Sequence, residues 1–72
     1  MNENLAQLFT RKRECKGLTL RQVAEAIGTS YSHLWDIENG NHANPTIKTL
    51  AKLQDFYGVS TRELWAAVRN SL

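Results

Sequence analysis

Residues 19–40 read TLRQVAEAIGTSYSHLWDIENG, and this stretch decides the fold. The Thr19 hydroxyl can accept from the backbone N–H three residues on. The Gln22 side chain can reach back to the Thr19 N–H, the reciprocal arrangement of a capping box. Val23, Ala24 and Ile27 then fall on one apolar helical face. Gly28 ends that helix, because glycine closes a helix in the left-handed conformation at least cost. Ser30 is placed to cap a second helix. Leu34 and Ile37 turn that helix inward at i and i+3, and Gly40 closes it. The pattern predicts two helices of about eight residues joined by a turn of three or four residues that contains glycine.

The ordered set Ala24-x-x-x-Gly28-x-Ser30, a following aliphatic residue, then Ile37-Glu38-Asn39-Gly40 resembles the phage-repressor and Cro type of helix-turn-helix. The likeness continues outside the motif. Cys15-Lys16-Gly17-Leu18-Thr19 leads into it. The run Asn44 to Leu53 (NPTIKTLAKL) and then Tyr57-Gly58-Val59-Ser60 follow it, as in that family. The resemblance therefore covers nearly the whole chain. It implies an all-α fold, a five-helix lambda-repressor-like domain spanning residues 1–72.

Working outward, the periodicity predicts a first helix over about Asn4 to Lys16, with Leu5, Leu8 and Phe9 as its apolar stripe. Lys12 stands where the stripe would continue. Its stem can lie on apolar surface while the ammonium reaches water. Gly17 stops this helix. Beyond the central motif, a polar loop Asn41–Asn44 precedes Pro45, a residue suited to the start of a helix. The fourth helix is expected over about Thr46 to Tyr57, with Ile47, Leu50, Leu53 and either Phe56 or Tyr57 facing the core. Gly58 ends it. Ser60-Thr61-Arg62-Glu63 has the form of another capping box. It opens a fifth helix whose apolar positions are Leu64, Trp65, Val68 and Leu72. No run alternates with period two, so no strand is expected.

Seventy-two residues allow one domain with one small core. A hydrophobic content of 42% and a charged content of 22% are those of a globular chain and argue against disorder. No apolar run approaches the roughly 20 residues that span a bilayer, and no signal-peptide pattern follows Met1. The expectation is a cytoplasmic protein with no membrane partner. The single cysteine, Cys15, has no internal disulfide partner, and its place beside the core face of the first helix predicts burial. The net charge of +2 is a weak basic bias, so the placement of charges carries more information than their sum.

The helical wheel turns Tyr31, Ser32, Trp35 and Asp36 outward when Leu34 and Ile37 face in. These four are the candidate base-contacting residues. By resemblance, Tyr31, Ser32 and Asp36 match the family's main base-reading positions. Tyr31 can donate to an acceptor or lie against a thymine methyl, Ser32 can donate or accept, and Asp36 can accept from cytosine N4. Trp35 is a large apolar surface that can pack on a sugar-phosphate backbone or on a protein. The alternative is that Tyr31 and Trp35 fold back to seal the small core. The candidate phosphate contacts are Arg21, Ser30, Asn41, Asn44, Thr46 and Lys48. The resemblance assigns the loop from Asn41 and the helix after it to this role. In place of it, Asn44 or Thr46 can simply cap that helix.

Two features depart from the family pattern. The predicted reading helix carries no Arg or Lys, and Leu20 stands where the family often has a Gln that touches phosphate. The resemblance also sets Arg13, late in the first helix, against Glu38 as an intramolecular ion pair. Arg11, Lys12 and Lys16 form a basic cluster, read as a solvated face. His33 and His42 have no companion ligand set for a metal, and Cys15 has no adjacent base, so neither a metal, a cofactor nor an enzyme is indicated.

Trp65, Val68 and Leu72 exceed what a small core needs and mark a candidate homodimer surface, the alternative being packing within one copy. The resulting expectation is a sequence-specific, double-stranded-DNA-binding transcriptional regulator of bacterial or phage type, acting as a repressor. The rival is a protein-interaction module of the same fold with little DNA affinity, for which the low charge, Leu20 and Trp35 speak.

Overall fold

The computed structural model describes residues 3–40 and 45–72. Five helices follow one another: α1 (Leu5–Cys15), α2 (Leu20–Ile27), α3 (Tyr31–Asn39), α4 (Ile47–Tyr57) and α5 (Thr61–Asn70). Among the described residues there is no strand, and no helix is long and apolar enough to cross a membrane. The helix starts are set by local chemistry. Asn4 with Gln7 and Thr19 with Gln22 each form a complete capping box. Ser30 and Thr46 cap α3 and α4 through their hydroxyls. Gly28 and Gly40 close α2 and α3 with φ of 71° and 69°, a region that other residues enter only with strain.

α1 is the hub, lying against α3, α4 and α5, while α2 packs on α3 and α4. The core is Leu8 and Phe9 from α1, Val23, Ala24 and Ile27 from α2, Leu34 and Ile37 from α3, Leu53 and Tyr57 from α4, then Val59 and Ala67. Phe9 stacks on Tyr57 at 6.1 Å between ring centroids, and Tyr57 meets the edge of Phe56 at 5.1 Å. Such pairs add to the stabilisation from burial alone.

Several expectations need correction, and all concern helix ends or flanks. Ile47 is 86% exposed instead of core. It is the first residue of α4, no described residue covers it, and burial begins one turn later at Leu50. Cys15 is exposed. It is the last residue of α1, where the chain leaves the packed body at Lys16 and Gly17. In α5 the buried position is Ala67, while Trp65 is 57% exposed and Leu72 is fully exposed. Ala67 lies in the core and Leu64 packs against it, while Val68 is half-buried at the margin of that face. Ser60 caps α5, but the box is only half formed: the Glu63 carboxylate turns instead to Arg11 at 3.0 Å and Lys12 at 3.6 Å. Arg11 also binds Glu3 at 2.7 Å, and that guanidinium holds the Glu3 carboxyl below the usual carboxylate range. Exposed pairs of this kind contribute little to stability in water. The pairs to Glu63 link α1 to α5.

The Tyr57 hydroxyl is buried and finds no hydrogen-bond partner among the described residues. Burial, aided by the Glu38 carboxylate and opposed by Arg13, pushes its pKa up to about 12. Tyr57→Phe is therefore expected to stabilise the domain by about 1 kcal/mol, because it removes a desolvated, unpaired hydroxyl. The pH dependence has a definite sign. The unfolded chain releases this proton near 10 and the folded chain only near 12, so tyrosine's contribution is whole below pH 10 and is lost as pH rises towards 12. Urea melts at pH 9 and pH 11 should show a smaller alkaline loss in the phenylalanine variant. Equal losses in the two proteins would contradict the burial of this hydroxyl.

Candidate nucleic-acid interface

The α2–turn–α3 unit presents one face of α3 to solvent. Leu34 and Ile37 are buried beneath it. Tyr31 is 47% and Trp35 is 40% exposed, Ser32 is exposed and Asp36 is half-buried. The two aromatic rings are thus neither sealed in the core nor free of it. Asn39, at the far end of the helix, donates one amide N–H to the Trp35 carbonyl at 2.8 Å.

The start of α2 meets the start of α3. The Arg21 guanidinium lies over the Tyr31 ring, 5.9 Å from its centroid, within the range of a cation–π contact. Leu18, Thr19, Leu20, Arg21 and Tyr31 line a shallow depression with Arg13 at its edge. Leu20 is half-buried against the core, so this departure supplies packing instead of a polar contact. The Thr19 hydroxyl takes the Gln22 N–H, and Ser30 takes the His33 N–H. The N–H groups of Leu20, Arg21, Tyr31 and Ser32 stay free of hydrogen bonds to described residues. Two helix N-termini with unspent donors, joined by a guanidinium, form an electropositive rim suited to an anion.

Behind α3 lies its anchor. Arg13 Nε donates to both oxygens of Glu38 at 3.0 Å, and its Nη1 donates to the Leu18 carbonyl at 2.8 Å. Thr10 Oγ1 donates to the same carboxylate at 3.1 Å. Glu38 therefore faces inward and adds no repulsion to the exposed face. With Arg11 and Lys12 held by Glu3 and Glu63, these pairs occupy three of the cations. Arg21 and Lys48 make no ion pair with a described residue.

Thr46 caps α4, accepting from the Thr49 N–H, and Lys48 is exposed on the first turn. Asn41 and Asn44, nominated for phosphate contact, lie outside the described residues. Trp65 and Leu72 are exposed and Val68 is half-buried on α5. The Arg21–Tyr31 contact escaped the sequence reading. Its residues are ten apart, across a turn whose geometry periodicity does not supply. The Thr10 and Leu18 partners of the ion pair escaped it for the same reason.

A short helix, a glycine turn and a second helix, carried on the hub α1 in a five-helix body, define the lambda-repressor-like class of helix-turn-helix folds. A family model described as Helix-turn-helix matches residues 11–64, and the chain belongs to that family. It is similar to the HTH-type transcriptional regulator DdrOP3 of Deinococcus deserti, 33% identical over 64 residues, which are 89% of this chain and 49% of that protein. It is also similar to the HTH-type transcriptional regulator SlrR of Bacillus subtilis, 33% identical over 88% of this chain and 41% of that protein. The uncharacterized HTH-type transcriptional regulator y4dJ of Sinorhizobium fredii is 39% identical over 89% of this chain and 82% of that protein. The chain thus spans about half the length, or less, of the first two relatives. No solved structure matches it significantly.

Proposed function

We propose that this chain is a sequence-specific double-stranded-DNA-binding transcriptional regulator, a repressor, whose α3 enters the major groove. The observation that carries the reading is the continuity of the exposed Tyr31–Ser32–Trp35–Asp36 face with the rim where Arg21 and the free N–H groups of α2 and α3 converge. In this motif the second helix meets base edges while the first crosses the backbone. Phosphates would then lie at Arg21 and at the start of α4, near Thr46 and Lys48. The names of the three relatives support the regulatory role. The 72 residues act as a single cytoplasmic domain, and two copies pair through Trp65, Val68 and Leu72. The exposure of Trp65 favours that pairing over packing within one copy.

Fluorescence anisotropy with a random-sequence duplex, at two salt concentrations, tests the reading. Non-specific affinity on the order of 10⁻⁵ M that weakens steeply with salt is expected. Arg21→Ala should lower it and reduce the salt slope by about one. Absence of binding at low salt, with helicity intact by circular dichroism, would sink the proposal in favour of a protein-interaction module. Sedimentation of the protein alone shows whether Trp65→Ala separates two copies.

A further inference from the structure

The exposed face of α3 has an unusual donor inventory. The direct way to read a purine in the major groove is a bidentate donor: Arg or Lys on guanine, Asn or Gln on adenine. The outward positions in the first two turns of α3 hold Tyr31, Ser32, Trp35 and Asp36, none of which is such a residue. Asn39 comes a turn later, at the C-terminal end of the helix, with one of its amide N–H groups on the Trp35 carbonyl. In their place stand two aromatic rings at i and i+4, about 40° apart around the helix axis and so on one strip of its surface. Both are held about half out of solvent, and Tyr31 is fixed from the other side by the Arg21 guanidinium. Rings held in this way offer flat apolar area at low entropic cost to whatever the groove presents.

Resting on the reading of α3 as the major-groove helix, we propose that Tyr31 and Trp35 determine specificity by packing on the C5-methyl groups of thymine. The thymine methyl is the one apolar feature in the major-groove pattern of the four bases. Two rings, with no bidentate purine-reading residue at the outward positions of the first two turns, fit that feature best. Asp36 beside them, acceptor only, disfavours the acceptor-rich edge of guanine and admits the amino group of cytosine. The face as a whole then disfavours guanine, with the thymine methyl group as its main contact. Arg21 serves as a positioning residue, holding the Tyr31 ring while its free N–H groups engage the adjacent phosphate.

The first arm of the test alters the DNA and leaves the protein untouched. A duplex is selected from a random-sequence pool by the full chain. Each thymidine in it is then replaced, one at a time, by deoxyuridine, which pairs identically and lacks only the methyl. Loss of about fourfold in affinity is expected at each contacted position, the equivalent of ~0.8 kcal/mol for one buried methyl group. One or two positions should respond in each half-site bound by one copy. In Trp35→Ala or Tyr31→Ala, folded by circular dichroism, the thymidine-to-deoxyuridine difference should disappear at the matching position. Equal affinity for deoxyuridine at every position, or a selected site without thymine at its centre, overturns this inference and leaves DNA binding intact. Failure to retain any duplex overturns the underlying reading and this one with it.

Discussion

Replacing Arg13 with alanine is expected to cost about 3–5 kcal/mol, a large fraction of the stability of a domain of this length. The Arg13 and Glu38 side chains are only 17% and 5% exposed. The cost arises less from the pair's own attraction than from the carboxylate left behind. In the native protein Glu38 receives Arg13 Nε at 3.0 Å on both oxygens and Thr10 at 3.1 Å. Without the guanidinium, the buried anion keeps one hydroxyl donor and must take water into the core or protonate. A domain of this length holds roughly 4–11 kcal/mol in total, so the loss is of the order of the whole. Arg13→Lys should rescue little. An ammonium cannot span the carboxylate and the Leu18 carbonyl, 2.8 Å from Nη1, in one planar fork. Removing both charges with Arg13→Met and Glu38→Leu should recover most of the stability. Urea denaturation of the three variants gives the answer. A loss below about 1 kcal/mol in Arg13→Ala would mean that Glu38 is hydrated in the native state. Because the pair ties α3 to α1 and to the turn before α2, the recovered double variant also separates stability from orientation. If it folds but binds duplex DNA poorly, the pair sets the angle at which α3 leaves the body.

What was legible in the sequence is what depends on near neighbours. Thr19 and Gln22 are three residues apart, Ser30 and His33 likewise, and Gly28 and Gly40 need only their own backbone angles. Helix starts and stops therefore lie close to where local chemistry puts them. The inward faces of α2 and α3 follow from periodicity in the same way. Ile47, Cys15 and Trp65 show the limit. A helical period says which side of a helix faces in, but not how far along the axis its neighbours reach. Glu63 shows another limit. Its sequence offers a local partner in the cap, and the fold offers Arg11, 52 residues away, which wins because a charged donor outbids a backbone N–H. In the candidate interface, single residues were nameable because the motif's order is fixed. The stacking of Arg21 on Tyr31 was not, since it depends on the turn between two helices.

Phe9→Ala should be comparably damaging, at about 3–5 kcal/mol, by a wholly apolar route. Phe9 is 1% exposed on the inner face of α1, the helix that touches α3, α4 and α5. Alanine removes the ring and strands Tyr57, whose stacking partner at 6.1 Å disappears while its hydroxyl is still unpaired. The surrounding residues come from separate helices and cannot all move inward at once, so the site collapses poorly and the cavity cost stays high. Phe9→Leu fills most of the volume and should lose about 1.5 kcal/mol or less. Thermal melts followed by circular dichroism rank the two, and a difference under about 1 kcal/mol would show that the core repacks freely around α1. The functional consequence follows from the same geometry. Among the described residues α3 rests mainly on α1 and α2, so duplex binding should fall in step with the folded fraction and return when excess DNA pulls the equilibrium back. Binding lost at full helicity would instead mean that Phe9 sets the seat of α3 without setting the stability of the domain.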